Sequence, residues 1–345
     1  MKETEDEQFK IQNSKFKIQN SKFPDSRLPS TGAQQCAPTD SRFSTTTPIV
    51  SNRPCFLSPK KLQPEYPLFV FLPGMDGTGQ LLRSQTEGLE VAFDVRCLMI
   101  PPDDMTSWDV LSAQVIQLIH KELAKNPQRE VYLCGESFGG CLAMKVAVKA
   151  PELFSRIILV NPASSVQLRP FLAWGSQFAN LVPSCFYQFG AVGLLPFLAS
   201  LGRVTKSDRR EMLKVIRSVP PETVLWRIAL IKNFDVDKTQ LRQLTQPVLL
   251  IASALDCLLP SIAEAKRLLG ILPNSRLVVL PYSGHACLLE SETNLYDIMR
   301  SQHFLDVGVG RGGFGNLPVQ ELEVGRGGFG NPPVQESGVG SREKK

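Results

Sequence analysis

The sequence predicts an α/β fold: a mainly parallel sheet covered by helices on both faces, with a helical cap insertion over one edge. Three observations carry this expectation. Short, unbroken apolar runs recur along the middle of the chain and end in Gly or Pro, as strands buried on both faces do. Stretches with apolar residues at helical spacing separate them. One gap of about eighty residues then interrupts the alternation.

The elements follow in order. Leu68–Leu72 (Leu-Phe-Val-Phe-Leu) is the first run and stops at Pro-Gly, and Val95–Ile100 stops at Pro-Pro. Val110–Leu123 places apolar side chains on one helical face. Val131–Cys134 runs into Gly135, and Cys141–Val148 is again helical. Ile157–Val160, Val248–Ile251 and Leu277–Leu280 complete the strands, with helical stretches expected over 261–272 and 286–300. The alternation stops between about Ala163 and Leu244, which is expected to form the cap. Open sheets bind ligands at the carboxyl ends of their strands, so a cap inserted there covers the site.

Both ends read as appendages, giving an N-terminal extension over 1–65, a folded domain over 66–305 and a Gly-rich tail over 306–345. Lys-Ile-Gln-Asn-Ser-Lys-Phe occurs at 10–16 and again at 17–23, and Val-Gly-Arg-Gly-Gly-Phe-Gly-Asn begins at Val309 and at Val324. About three copies are needed before repeats bury a shared core, so both ends are expected to be disordered. The hydrophobic share of 43% excludes a wholly disordered chain. The formal charge is +5, of which only +2 falls on residues 66–305, so no nucleic-acid partner is expected. The eight cysteines form no C-x-x-C pair, and Cys97, Cys134, Cys141 and Cys257 sit in or beside apolar runs, as buried thiols do. The acidic start, Met1 to Glu7, leads into no apolar run and is no secretory signal, so a reducing, cytoplasm-like location is expected.

The most informative string is Gly135-Glu136-Ser137-Phe138-Gly139, a G-x-S-x-G between an apolar strand and an apolar helix. A sharp strand-to-helix turn aims a serine hydroxyl into the cleft, and only small residues fit beside it. That hydroxyl needs a base. Of the three histidines, His120 falls within a helix beside Lys121 and Glu122, and His303 lies at the margin of the domain. His285, in Leu-Pro-Tyr-Ser-Gly-His, follows a strand end and is the candidate base. Asp256 follows the preceding strand, and Ser137…Asp256…His285 is the expected chain order for such a constellation. The other acid position, after Val160, offers Asn161, which supplies no charge. Oxyanion donors are expected at the Phe138 N–H and, from Leu72-Pro-Gly-Met-Asp-Gly-Thr-Gly79, at the Met75 N–H. Asp76 reads as a turn residue there.

With these motifs the chain resembles the α/β-hydrolase superfamily over about 66–305. More narrowly, Leu-Pro-Gly-Met-Asp-Gly and Gly-Glu-Ser-Phe-Gly-Gly resemble the hydrolase half of the phytyl ester synthase and diacylglycerol acyltransferase-like proteins of plastids and cyanobacteria. The resemblance implies acyl transfer from a thioester or glycerolipid to phytol or another long-chain alcohol, at or beside a thylakoid-type membrane. Larger members carry a second domain built around His-x-x-x-x-Asp, a motif this sequence does not contain. Two other outcomes stand: a plain esterase or thioesterase using water, and a hydrolase-fold protein that holds an acyl lipid without turning it over. No metal or organic cofactor is implied.

The cap bears on substrate and partner. Pro170 to Gly202 contains no charged residue and includes Phe171, Trp174, Phe178, Phe186, Phe189 and Phe197, which are expected to line an acyl-chain pocket. Prolines and glycines break the stretch, so a membrane span is not expected. In the helix expected from Lys206 to Val219, Met212, Val215, Ile216 and Val219 share one face, and Lys206, Arg210, Lys214 and Arg217 share the other. That cationic stripe is the expected contact for an acyl carrier protein or an anionic membrane surface.

Overall fold

The computed structural model describes residues 52–59, 62–168 and 195–305. Phe171, Trp174, Phe178, Phe186 and Phe189 lie outside the described residues, as do both pairs of repeats.

Among the described residues, seven strands form one sheet: β1 (Cys55–Leu57), β2 (Leu68–Leu72), β3 (Asp94–Met99), β4 (Val131–Glu136), β5 (Arg156–Val160), β6 (Val248–Ser253) and β7 (Ser275–Leu280). Their order is β1-β3-β2-β4-β5-β6-β7. All neighbouring pairs are parallel except β1 with β3, which is antiparallel. The helices in chain order are α1 (Arg83–Leu89), α2 (Trp108–Leu123), α3 (Phe138–Lys149), α4 (Lys206–Ser218), α5 (Pro221–Lys232), α6 (Lys238–Gln243), α7 (Ser261–Leu269) and α8 (Leu295–Ser301).

The unbroken apolar runs have a direct cause. In β2, Leu68, Val70 and Leu72 point into a core shared with residues of α2, α3, α6 and α7. Phe69 and Phe71 point the other way, into a core shared with Leu89 and the α8 residues Leu295, Ile298 and Met299. Successive strand side chains alternate between faces, and both faces here are covered, so polar residues have no place in the run. Strand order reverses at β2, which pairs with β3 on one side and β4 on the other. That switch point is where open α/β sheets place their ligands.

Some boundaries differ from the sequence expectation. The edge strand β1 lies within the span expected to fall outside the fold. Three residues between Pro54 and Ser58-Pro59 are too short to display an alternation. The helix expected over 286–300 is divided into a 3-10 turn, Cys287–Leu289, and α8. Asn294 caps α8 by accepting from the Asp297 N–H, and Glu290–Thr293 form the connecting turn. Cys257 is exposed, in contrast to Cys97, Cys134 and Cys141, because it sits in the loop after β6 and not in the strand.

Helices α4, α5 and α6 lie between β5 and β6 in the chain, where the cap was expected. Met212 of α4 packs with Leu195, Ala199, Val204 and Leu289 in a small core of its own. Lys206, Arg210, Lys214 and Arg217 are exposed on this helix. Phe197 was expected to line an acyl pocket, yet it is 52% exposed. Leu195 and Ala199 turn inward from that segment, which leaves Phe197 on its outer side. Among the described residues, no helix is long and apolar enough to cross a membrane.

Candidate active site

The site is built on the turn between β4 and α3. Ser137 adopts φ 56° and ψ −113°, a conformation that non-glycine residues adopt at a cost of about 1–3 kcal/mol. The sheet holds it there: the Ser137 N–H donates to Val160 O at 3.0 Å, and Ser137 O accepts from Gly140 N at 3.0 Å and Ala163 N at 3.1 Å. The flanking glycines are steric requirements. A Cβ on Gly135 would collide with the Gly139 backbone, and one on Gly139 would collide with the Leu72 carbonyl at the end of β2.

The structure brings the three side chains singled out from the sequence into one buried line. Ser137 Oγ lies 2.9 Å from His285 Nε2, and His285 Nδ1 lies 2.8 Å from Asp256 Oδ2. Asp256 Oδ1 accepts from the N–H groups of Leu258 and Leu259, both at 2.8 Å, while Oδ2 also accepts from Ser261 Oγ. Burial pushes the Asp256 carboxyl upward, but the charge and N–H of His285 and these donors outweigh it and hold the group below the usual carboxylate range. Burial pulls His285 downward, and Asp256, with a smaller contribution from Glu136, more than reverses that. An ionised Asp256 therefore accepts a hydrogen bond from the His285 Nδ1–H, which holds the tautomer whose Nε2 lone pair is directed at the Ser137 hydroxyl.

The loop carrying His285 is fixed by groups that sequence reasoning passed over. Asn161, fully buried with φ 43°, donates from Nδ2 to His285 O at 2.7 Å and to Ser253 Oγ at 2.9 Å, and its Oδ1 accepts from Ser253 N at 2.8 Å. Having no charge, it was set aside as an acid, yet its amide joins the end of β5 to β6 and to the histidine loop. Glu290 accepts from Gly284 N at 2.8 Å and pairs with Arg203 at 2.9 Å. His120 and His303 are exposed, away from this line.

The loop after β2 borders the serine, since a Cβ on Gly74 would lie 3.9 Å from Ser137 Cβ. Gly74–Gly77 is a tight turn closed by a 3.0 Å bond from Gly77 N to Gly74 O. Asp76 acts within it as a turn residue, accepting from Thr78 N at 2.9 Å and Thr78 Oγ1 at 2.5 Å. The Met75 and Phe138 N–H groups belong to the two segments flanking Ser137. The latter opens α3, where N–H groups have no partner within the helix.

Glu136 was not assigned a role from the sequence. It is 8% exposed, and among the described residues its Oε1 has no hydrogen-bond partner. Burial is the main cause that pushes its carboxyl up to about 7; His285 opposes the shift and Asp76 adds to it. The protonated form is thus favoured by the fold, so this group's contribution to stability is complete below its ordinary value of 4.5 and declines as pH rises to about 7. The loss across that window is about 3 kcal/mol. Glu136→Gln is therefore expected to gain stability relative to the parent as pH rises from about 5 to 8. The acid limb of kcat/KM should also move to lower pH, because an anion favouring the imidazolium is gone. Urea unfolding and rate profiles across that range check both.

The mostly parallel seven-stranded sheet and the serine on a strained strand-to-helix turn at its switch point define an α/β-hydrolase fold. Within it, the chain belongs to the Hydrolase_4 family, described as serine aminopeptidase S33, which matches residues 103–292, more than half of the chain. Phytyl ester synthase 1, chloroplastic, of Arabidopsis thaliana is 33% identical over 256 residues, covering 68% of this chain and 36% of its own length. Phytyl ester synthase 2, chloroplastic, of the same plant is 28% identical and covers 69% of this chain and 38% of its own length. The chain thus spans little more than a third of these relatives. An α/β-hydrolase from a Medee basin deep-sea metagenome library superposes with a TM-score of 0.60 at 17% identity, covering 74% of this chain and 97% of that one.

Proposed function

We propose that this chain is a serine-dependent acyl hydrolase or acyltransferase acting on lipid-like acyl esters or thioesters. The observation that carries the reading is the buried line of hydrogen-bonding groups from Ser137 through His285 to Asp256. Ser137 Oγ attacks the acyl carbonyl carbon while its proton passes to His285 Nε2. The Phe138 and Met75 N–H groups receive the developing oxyanion. Collapse breaks the carbonyl bond to the alkoxide or thiolate, which takes the proton from His285 and leaves an acyl-serine. An acceptor hydroxyl then gives its proton to Nε2 and attacks the same carbon, and Ser137 departs with that proton.

The acceptor decides between transfer and hydrolysis. The names and sequence similarity of the two plant relatives support phytol or another long-chain alcohol. Similarity to a relative named pimeloyl-[acyl-carrier protein] methyl ester esterase, of Nitrosomonas europaea, 29% identical over 167 residues, supports a second reading in which water is the acceptor. A labelled acyl donor, supplied as thioester and as galactolipid, with and without phytol, separates the two. Phytyl ester formed faster than free acid, and lost in Ser137→Ala, is the result expected for transfer. Free acid alone would establish hydrolysis. No product that depends on Ser137 would sink both readings.

A further inference from the structure

Helix α5, in the segment between β5 and β6, meets the start of α2 and the loops after β2 and β3 through polar groups. Trp108 Nε1, at the start of α2, donates to Leu230 O at 2.9 Å, and Trp226 Nε1 donates to Thr106 O at 3.1 Å. Between them stands Arg227, 2% exposed, the largest fully buried side chain of the fold among the described residues. Its Nη1 donates to Met75 O at 2.6 Å and its Nη2 to Pro101 O at 2.9 Å. Among the described residues, no carboxylate lies within ion-pair distance of it. Asp76 and Asp104 act on it only through their fields, opposing the effect of burial.

A buried guanidinium held by two backbone carbonyls is an expensive arrangement for packing alone, since an apolar side chain of similar size avoids desolvating a charge. Its targets explain its presence. Met75 is a central residue of the Gly74–Gly77 turn beside Ser137, and Pro101 opens the loop after β3. The turn is bonded to itself by Gly77 N and Thr78, and to the end of β3 by a 2.7 Å bond from Ile100 N to Gly77 O. The guanidinium closes the remaining side. A Cβ on Gly77 would lie 2.8 Å from Arg227 Nη1, and Gly77 itself has φ 70°, so the turn is shaped around this side chain.

We propose that Arg227 is a positioning residue: by gripping Met75 O and Pro101 O from the cap, it fixes the peptide units of Met75 and so aims the Met75 N–H at the oxyanion formed on Ser137. This rests on the acyl-transfer reading above. The reaction geometry is then completed by the cap and not by the sheet alone. A displacement of about 1 Å in such a donor lowers turnover about 100-fold, with little effect on ground-state binding.

The test compares Arg227→Met and Arg227→Lys with the parent on a p-nitrophenyl acyl ester, alongside inhibition by an alkyl trifluoromethyl ketone, which forms an oxyanion on the serine. For Arg227→Met, kcat is expected to fall about 10- to 100-fold with KM within threefold, and ketone affinity to weaken in step. Arg227→Lys, which reaches one carbonyl at a time, should fall between. The proposal is overturned by wild-type kcat in both variants, by a rise in KM with kcat preserved, or by an Arg227→Met that fails to fold beside an Arg227→Lys with wild-type kcat. A parent that neither turns over the ester nor reacts with a fluorophosphonate at Ser137 would remove the acyl-transfer reading itself, and this inference with it.

Discussion

Ser137→Ala is expected to lower kcat about 10⁶-fold, and His285→Ala about as much, with the double variant no worse than either alone. The equality follows from the 2.9 Å contact between Oγ and Nε2: neither group acts without the other. Asp256→Asn should cost less, about 10⁴-fold, because an amide still orients the ring but stabilises the wrong tautomer. KM is expected to change little in all of them, since none of the three groups is assigned to ground-state binding. Rates on a p-nitrophenyl acyl ester for the three single variants and the double check this. Additive losses, or a Ser137→Ala variant with parental turnover, would remove Ser137 from the chemistry.

Gly139→Ala is expected to damage both stability and rate. The added methyl meets the Leu72 and Pro73 carbonyls, which are backbone atoms at the end of β2 and have no rotamer to yield. Overpacking of this kind costs about 1–3 kcal/mol. The movement that relieves it also displaces the loop that begins at Pro73 and carries Met75, so kcat should fall about 100-fold in the fraction that folds. Gly74→Ala is the control, because a Cβ there meets nothing closer than 3.6 Å and Gly74 is not at positive φ. Urea unfolding and turnover for the two variants decide it. A Gly139→Ala variant that matches Gly74→Ala in both would show that the close approach is not what the glycine serves.

How much of this was legible beforehand depends on what kind of partner each residue has. Ser137 could be placed because a strand, a glycine and a helix surround it in the sequence itself. His285 stood out because only three histidines exist and only one follows a strand end within the domain. The buried strands were readable because both faces of β2, β4, β5 and β6 are covered, so their apolar runs are unbroken. By contrast β1 had no pattern to read. Its three residues become a strand only because β3 offers an unpaired edge.

Arg227 and Asn161 were invisible for a different reason. Arg227 bonds to carbonyls 152 and 126 residues away, and Asn161 to a carbonyl 124 residues away. Every residue carries a carbonyl, so no side-chain type at the far end of such a bond marks it in the sequence. Glu136 was hidden by its own motif, since the variable position of G-x-S-x-G accepts many residues and only its burial reveals a carboxyl that titrates near neutrality.

The sequence by itself determined the α/β class, six of the seven strands in their order along the chain, and the three side chains of the Ser137–His285–Asp256 line. These rest on local periodicity and on rare residue types at strand ends. Only the tertiary structure decided which loops face one another across the switch point, that Asn161 ties the histidine loop to the sheet, and that a cap arginine grips the turn beside the serine. Those depend on backbone groups brought together by the packing of helices on a twisted sheet, and a hydrogen bond to a carbonyl has no address until the chain has folded.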